Sequence, residues 1–331
     1  MKIDMAHGSG GLASEELMRD VFGKYFSNET LDKMEDAAFV PSASNIICST
    51  DTFVVDPIIF RGGDIGKLAV CGTVNDILVM GGVPKYLTCG FILQTGLEVE
   101  ILERVVKSMA ETAKAAGVTI IAGDTKVVEG SGGMFVNTTG IGFAREGINI
   151  SASNCEVGDE LILSGNLGDH HAAILSERMK IENDITSDCA LLNDITDTLF
   201  ENNIKIKTMR DVTRGGLGTI LNEIARASDC HIVMEEESLP VSKATRGFAD
   251  ILGLDPLYMG NEGKMIVIVQ KGEGEKALEL IRKTKNGADA KIIGVVEEKS
   301  LQNGPELSIK TPLGATRKVD VLVGEGLPRI C

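Results

Sequence analysis

Three aspartates stand at the ends of apolar segments or inside one, where a carboxylate is costly unless something binds it. Asp51 lies in Ser-Thr-Asp-Thr, Asp76 interrupts an apolar helical segment, and Asp124 closes the run Ile-Ile-Ala-Gly. Burying an unpaired charged group is unfavourable, and Mg²⁺ prefers oxygen ligands, which it shares with phosphate groups. A single such residue could be a structural hydrogen-bonding group. Three of them predict ligands for a hard cation.

Two short segments carry a cation that could contact an anion. Lys126 stands two residues beyond Asp124, although an exposed lysine in a turn explains the spacing equally well. Residues 211–217 read Asp-Val-Thr-Arg-Gly-Gly-Leu and predict a turn into a helix. The N-terminal amides of that helix, together with Arg214, would hold an anion. An ordinary glycine-bearing turn is the competing interpretation.

The two standard nucleotide-binding loops are absent from the sequence. No stretch matches GxxxxGK[ST], and residues 7–11, His-Gly-Ser-Gly-Gly, do not form a complete GxGxxG motif after a strand. The backbone N–H groups of this glycine-rich leader could still surround phosphates. Disorder is the alternative for such a terminus.

A candidate general base occurs in residues 261–264, Asn-Glu-Gly-Lys, directly before an apolar strand. Glu262 offers a carboxylate that could accept a proton, although a β-turn with charged residues is the simpler interpretation. Asp169, His170 and His171 would suggest a metal site by composition, but adjacent histidines on a helix point in different directions. The two histidines are therefore interpreted as structural or solvent-facing.

The final residues, 324–331, read Gly-Glu-Gly-Leu-Pro-Arg-Ile-Cys and favour neither helix nor strand. Such a tether would carry the thiol of Cys331 to more than one place. An exposed thiol is open to oxidation, so its placement suggests that its chemistry is used. The alternative is a surface cysteine on a frayed tail. The rest of the chain favours the first interpretation, because it offers carboxylates and glycines but no evident nucleophile.

Composition excludes several classes of function. The chain has 331 residues, 43% of them apolar, and a formal net charge of −15, which would repel nucleic acid. No apolar run has the length of a membrane span, and the N-terminus lacks the apolar core of a signal peptide. Seven cysteines without paired spacing indicate reduced thiols and a cytoplasmic protein.

Apolar periodicity predicts an α+β protein with strands and helices in mixed order and no solenoid repeat. We expect a glycine-rich leader and helix over 1–37, an N-terminal domain over 38–153, a C-terminal domain over 154–322 and a flexible tail over 323–331. The predicted helices are 14–25, 64–80, 98–116, 169–179, 187–201, 217–227, 242–252 and 273–284. The predicted strands are 46–55, 86–93, 118–122, 135–144, 160–164, 231–235, 264–269, 290–296, 307–310 and 319–322.

Taken together, these motifs resemble the HypE family of hydrogenase maturation factors, within the superfamily of aminoimidazole ribonucleotide synthetase and selenophosphate synthetase. The resemblance runs from end to end, and the closing Pro-Arg-Ile-Cys is its most specific part. Two positions depart from the pattern: Val212 stands where proline is expected and His171 where glycine is expected. The motifs that carry the resemblance are residues 7–11, 62–76, 123–127, 210–216, 261–264 and 328–331.

The resemblance implies a two-domain fold whose N-terminal α/β domain forms a barrel across a homodimer, with ATP near the interface. It also implies a reaction. The carbamoyltransferase HypF loads a carbamoyl group onto the Cys331 thiol, ATP phosphorylates the carbamoyl oxygen, and loss of a proton and phosphate leaves a thiocyanate. The cyanide then passes to iron on a HypC–HypD scaffold.

The residue patterns and the resemblance together give a hypothesis for the role of each candidate residue. Asp51, Asp76 and Asp124 would bind Mg²⁺, while Cys331, Glu262, Lys126 and Asp76 would be catalytic. Glu262 is the preferred base and Asp76 the rival. The residues expected to bind ATP are His7, Gly8, Ser9, Gly10, Gly11, Asn75, Lys126, Asp211 and Arg214.

Two alternative functions stay open at this point. A small-molecule synthetase or kinase of the same superfamily, such as a selenophosphate synthetase or thiamine monophosphate kinase, would not need the tail. The absence of a cysteine before residue 48 counts against a selenophosphate synthetase. A non-catalytic scaffold would use Cys331 to bind a metal or partner, and would leave the buried-looking aspartates unexplained.

Overall fold

The computed structural model describes residues 11–17, 38–40, 45–299 and 304–322, which form two mixed sheets with helices packed on them. Among these residues no helix is both long and apolar enough to cross a bilayer. The elements of the first half, in chain order, are α1 (Leu12–Leu17), β1 (Ala38–Val40), β2 (Ile46–Phe53), β3 (Ile59–Phe60), β4 (Gly63–Asp64), α2 (Ile65–Val79), β5 (Gly82–Gln94), α3 (Val99–Ala115), β6 (Thr119–Val128) and β7 (Met134–Ala144).

The N-terminal sheet has the strand order β1-β2-β7-β5-β6, in which only β5 and β6 run parallel. Helix α2 packs on one face of this sheet and contacts β2, β5 and β7. Strands β3 and β4 form a separate short hairpin directly before α2.

Helix α2 follows from local signals in its sequence. Asp64 caps its N-terminus, because its Oδ1 accepts the backbone N–H groups of Gly66 and Lys67 at 2.9 and 3.0 Å. The chain leaves the helix at Gly81, whose φ of 75° suits glycine. All residues of α2 except Lys67 and Asp76 are buried, so the helix lies in the core rather than on the surface.

The C-terminal sheet has the strand order β14-β13-β10-β12-β8-β11-β9, with β10 and β13 parallel and the other pairs antiparallel. Strand β11 is buried at every position, as its continuous apolar sequence predicts. The elements of this half are β8 (Glu160–Leu163), α4 (Asp169–Met179), α5 (Asn193–Glu201), β9 (Ile206–Asp211), α6 (Gly216–Ala227), β10 (His231–Glu235), α7 (Lys243–Leu252), β11 (Met265–Val269), α8 (Gly274–Arg282), β12 (Lys291–Glu297), β13 (Glu306–Lys310) and β14 (Thr316–Lys318).

The predicted fold class is confirmed, but two of the predicted elements need correction. The helix expected over 187–201 begins only at Asn193, because the backbone of 188–192 bonds to Asn75 and Glu262 instead. The strand expected over 319–322 is wrong: the strand lies at 316–318. Strand β9 was not expected at all. The division into domains stays a prediction, and part of the helix expected over 14–25 lies outside the described residues.

The β3–β4 hairpin joins the two halves of the chain. Arg61 pairs with Glu177 of α4 at 2.8 Å between Nε and Oε1, and its Nη2 donates to Ser176 Oγ at 2.7 Å. Phe60 meets the ring of His170 edge-on, with 5.5 Å between ring centroids. His170 is buried and hydrogen-bonds Ser187 Oγ at 2.7 Å through Nδ1. The hairpin therefore packs directly on the C-terminal half.

His171 is also buried, so the structural interpretation of the two histidines holds and the solvent-facing one is wrong. Neither ring nitrogen of His171 has a hydrogen-bond partner. Burial, together with the charges of His170 and Arg178, lowers the pKa of His171 to about 3.

Candidate active site

Residues from both sheets line a cavity of about 330 Å³ beside α2. Strand β2 and α2 contribute residues from the N-terminal half, and the end of β9 and the turn before β11 contribute residues from the C-terminal half. Five side chains predicted from the sequence to do chemistry line this cavity: Asp51, Asp76, Asp211, Arg214 and Glu262.

Asp51 and Asp76 form the acidic wall of the cavity, and their carboxylates contact each other. Thr73 Oγ1 donates to Asp51 Oδ2 at 2.7 Å, and the Ser49 hydroxyl donates to Asp76 Oδ2. Burial raises the pKa of Asp51, while the Thr73 hydrogen bond, the Arg214 charge and the contact with Asp76 oppose that rise. The two carboxylates are thus held at fixed positions by neighbouring hydroxyls.

The donor set of this wall fits magnesium, which takes hard oxygen ligands and completes its shell with water and phosphate oxygens. Among the described residues, no three His, Cys, Asp or Glu side chains come close enough to form a metal cluster by themselves. A pair of carboxylates is the arrangement expected where a nucleotide supplies the remaining ligands.

Glu262, in the turn before β11, lines the same cavity, and only 4% of it is exposed. Burial raises its pKa well above the ordinary value, and Cys189, Asp211 and Asp188 raise it further, whereas Arg214 lowers it. A carboxylate in this environment binds a proton readily and is suited to general acid–base chemistry.

Asp211 ends β9 and lies between the acidic wall and Glu262. Burial raises its pKa to about 6; the Arg210 charge opposes this and the Asp51 charge adds to it. Arg214 is exposed, and Gly215 and Gly216 follow it with φ of 81° and 64°. A Cβ on Gly216 would lie 2.4 Å from Leu257 O, so only glycine fits at the start of α6.

Two family models match the chain. The AIR synthase related protein, N-terminal domain, covers residues 34–144, and the AIR synthase related protein, C-terminal domain, covers residues 156–303. The chain is 42% identical to the carbamoyl dehydratase HypE of Escherichia coli strain K12, over 99% of each sequence. The chain belongs to the HypE family.

Solved structures of the HypE family share the whole fold. A HypE in complex with ATP is 43% identical, with a TM-score of 0.84 over all of both chains. The HypE of a HypE–HypF complex is 44% identical, with a TM-score of 0.87, and the match covers 92% of this chain and 99% of that one. The predicted resemblance and its two-domain fold are therefore confirmed.

Asp124 and Lys126 lie on β6, away from the acidic wall. Asp124 pairs with Gly90 of β5, and β7 separates β5 from β2. The backbone of Asp124 is thus three strand spacings from Asp51, or about 14 Å. Lys126 is exposed on the same edge strand. The strand order thus separates the backbone of these two residues from Asp51, and their roles stay predictions.

Asn75 precedes Asp76 on α2 but does not line the cavity. Its Nδ2 donates to Ala190 O and its Oδ1 accepts the N–H of Leu192, both at 3.0 Å. These bonds direct the amide toward residues 190–192 rather than into the cavity. The predicted contact of Asn75 with ATP stays a prediction.

The glycine leader and the tail fall mostly outside the described residues. His7, Gly8, Ser9, Gly10 and Cys331 are among the residues not described. Gly11 is described: a Cβ there would lie 2.2 Å from Leu322 O, and the next residue, Leu12, donates its N–H to the same oxygen at 2.9 Å. The start of the described chain thus lies against the residues that lead into the tail.

Sequence reasoning missed the residues that support the site. Ser49 and Thr73 fix the two aspartates, and Asp188 accepts the N–H of Glu262 at 3.0 Å. Ser49 and Thr73 belong to motifs already singled out, Ser-Thr-Asp-Thr and 62–76. Ser49 stands two residues before Asp51 on a strand and Thr73 three residues before Asp76 on a helix, so each hydroxyl could be expected on the same face as a carboxylate. Asp188 offered none, because its contact with Glu262 is made only in the folded chain.

Proposed function

We propose that this protein uses ATP to dehydrate a carbamoyl group carried on the thiol of Cys331. The product is a thiocyanate, which supplies a cyanide ligand during [NiFe]-hydrogenase maturation. Membership of the HypE family supports the reaction class. The observation that carries the proposal is that Asp51, Asp76 and the buried Glu262 line one cavity.

The reaction balances as a thiocarbamate plus ATP giving a thiocyanate, ADP and phosphate. The carbamoyl oxygen attacks the γ-phosphorus, and the bond from that phosphorus to ADP breaks. The carbon–oxygen bond then breaks with phosphate as the leaving group. The nitrogen gives up two protons to form C≡N, one to Glu262 and the other to the departing phosphate. Phosphorylation is required because the unmodified oxygen is a poor leaving group, and phosphoryl transfer depends mainly on positioning and charge neutralisation.

Different residues that line the cavity carry out these tasks. Asp51 and Asp76 hold Mg²⁺, which when bound neutralises charge on the triphosphate. Arg214 orients phosphate oxygens at the cavity mouth. Glu262 accepts a proton from the carbamoyl nitrogen. Glu262 is favoured over Asp76 as the base, because Ser49 and Asp51 already engage the Asp76 carboxylate.

A second copy of the chain completes this site. Strands β5 and β6 carry exposed apolar side chains, at Tyr86, Ile92, Ile121, Val127 and Val128. Exposed apolar side chains on two neighbouring strands are typical of a protein interface. Pairing two such sheets would form a barrel and give Asp124 and Lys126, whose strand β6 is three strand spacings from β2, a route to the other protomer's cavity.

The proposed partners follow from the chemistry of the tail. A carbamoyltransferase of the HypF class loads Cys331, in line with the solved HypE–HypF complex. A HypC–HypD scaffold receives the cyanide on iron. Both steps need a thiol that leaves its own cavity, which a Gly- and Pro-containing segment permits.

The deciding experiment is mass analysis of protein carbamoylated at Cys331, before and after addition of Mg²⁺ and ATP. Loss of one water from the C-terminal peptide, only with ATP, is the expected result. ATP hydrolysis with a free metabolite and an unchanged peptide would instead identify a small-molecule synthetase. Absence of any Mg²⁺-dependent ATP turnover would identify a scaffold.

A further inference from the structure

We propose that residues 188–192 form a positioning bridge that holds Glu262 at a fixed place relative to α2, with Asn75 and Asp188 as its anchoring side chains. The inference rests on the proposed role of Glu262 as the base. It assigns Asn75 to the placement of that base rather than to nucleotide binding.

Asn75 anchors the bridge to the N-terminal half. Only 2% of the residue is exposed, and its amide makes both of its 3.0 Å bonds to the bridge backbone, at Ala190 O and Leu192 N. Asn75 and Asp76 are consecutive, so their side chains leave α2 about 100° apart. Asp76 thereby faces the cavity while Asn75 faces the bridge, and one helix turn fixes both.

The bridge binds Glu262 through its backbone on both sides. Asp188 Oδ1 accepts the Glu262 N–H at 3.0 Å, and the Ala190 N–H donates to Glu262 O at 3.2 Å. The next residue approaches just as closely: a Cβ on Gly263 would lie 1.9 Å from Asp188 O. Only glycine permits this contact, so a glycine directly after Glu262 is needed for the bridge to pack against this turn.

Lys264 holds the Asp188 carboxylate in place. Its Nζ lies 3.3 Å from Asp188 Oδ2 and donates to Gly263 O at 3.2 Å. The side chains of Lys264 and Asp188 are 12% and 3% exposed, so solvent screens this pair only weakly. The carboxylate therefore keeps Oδ1 directed at the Glu262 amide.

The arrangement has a chemical consequence. A general base must lie about 2.6–3.2 Å from the atom whose proton it removes, and a displacement of about 1 Å can cost about 100-fold in rate. Loosening the bridge should therefore slow dehydration without weakening nucleotide binding. If Asn75 instead contacts ATP, its removal should weaken nucleotide binding directly.

The test compares four variants of the full-length protein. Asp188→Ala removes the acceptor for the Glu262 N–H, whereas Asp188→Asn keeps an oxygen acceptor in the same place. Asn75→Ala releases the bridge from α2. Asn183→Ala is the matched control, because Asn183 Oδ1 also joins the two halves, through Arg61 at 2.9 Å, without contacting the bridge or Glu262.

The first measurement is amide hydrogen exchange across residues 261–264. Loss of one hydrogen bond corresponds to about a tenfold change in an opening equilibrium. We expect exchange to rise by about that factor in Asp188→Ala and Asn75→Ala. It should rise less in Asp188→Asn, which keeps the oxygen acceptor but loses the ion pair with Lys264, and should stay at the wild-type rate in Asn183→Ala. An exchange rate in Asp188→Ala equal to that of the wild type would overturn the proposal. If Asn75→Ala does not fold, the comparison of Asp188→Ala with Asp188→Asn decides.

The second measurement separates nucleotide affinity from turnover. We expect Asp188→Ala and Asn75→Ala to keep the Kd for a non-hydrolysable ATP analogue within about twofold and to lose about 10- to 100-fold in dehydration rate. A tenfold weaker Kd in Asn75→Ala with unchanged exchange would overturn the positioning role. If the variants show the expected differences in exchange but the wild-type protein shows no dehydration, the proposed function is wrong and the structural role of the bridge is retained.

Discussion

The carboxylates of Asp51 and Asp76 contact each other where β2 packs on α2, and each also accepts a hydrogen bond from a neighbouring hydroxyl. Two adjacent carboxylates repel unless they share a proton or a cation lies between them. The fold thus holds the two carboxylates close together, and a divalent cation bound between them would relieve their repulsion. A site for a metal-bound triphosphate needs such a pair.

Replacing Asp51 with Asn should weaken Mg²⁺-dependent nucleotide binding by about 10- to 100-fold, because the amide oxygen carries no charge. Titration calorimetry with an ATP analogue, with and without Mg²⁺, measures the effect. Asp184→Asn is the control, since Asp184 is exposed and does not line the cavity. Equal Mg²⁺ dependence in the two variants would remove Asp51 from the metal site.

Glu262→Gln should retain nucleotide binding and lower the dehydration rate by about 10²- to 10⁴-fold. Since the pKa of Glu262 is raised, the wild-type rate should increase with pH as the carboxylate ionises, and that increase should be missing in the variant. Rate profiles of the carbamoylated protein measure both effects. A variant that keeps the rising limb would transfer the base role to Asp76.

Those parts of the site that depend on local sequence were predictable. The Asp64 cap, the apolar run of α2 and the stop at Gly81 all lie within one segment, and they give the helix that carries Asp76. Arg214 and Glu262 were also predictable, because each lies in a short motif that contains both the charged side chain and the turn that exposes it to the cavity. That these segments meet in one cavity required the resemblance to a known fold.

The parts that depend on distant contacts were not predictable. Residues 187–192 have an acceptable helical pattern, but bonds from Asn75 and Glu262 hold them in another conformation. Strand β9 lies at the edge of its sheet and carries charged residues, so it lacks the apolar pattern of a buried strand. The separation of Asp124 from Asp51 depends on strand order, which the sequence pattern does not contain.

His171→Leu should reduce the loss of stability at low pH. The pKa of His171 is about 3 in the folded protein and near 6.5 when unfolded, so the unfolded chain binds the extra proton between these values. Stability is therefore lost as pH falls below about 6.5, by about 2 kcal/mol between pH 7 and pH 5. Urea unfolding at the two pH values should show this loss in wild type and in His231→Gln but not in His171→Leu. An equal loss in all three would assign the pH dependence to other groups.

The exposed apolar face of β6 provides a test of the second copy. Val127 is 65% exposed, and Val127→Asp would place a charge in the proposed interface, where it would be desolvated without a partner. We expect this variant to be monomeric by light scattering. Leu313→Asp is the matched control: Leu313 is 96% exposed, in the turn between β13 and β14, and its substitution should leave the dimer intact.

The same variant also tests whether the interface completes the site. If Asp124 and Lys126 of one protomer reach the cavity of the other, the monomeric Val127→Asp protein should lose affinity for Mg²⁺ and ATP together, by about the factor expected for Asp51→Asn. Its acidic wall and Glu262 are unchanged, so the loss cannot come from those residues. A monomer that binds Mg²⁺ and ATP as tightly as wild type would show that one chain holds the whole nucleotide site, and Asp124 would then have no part in it.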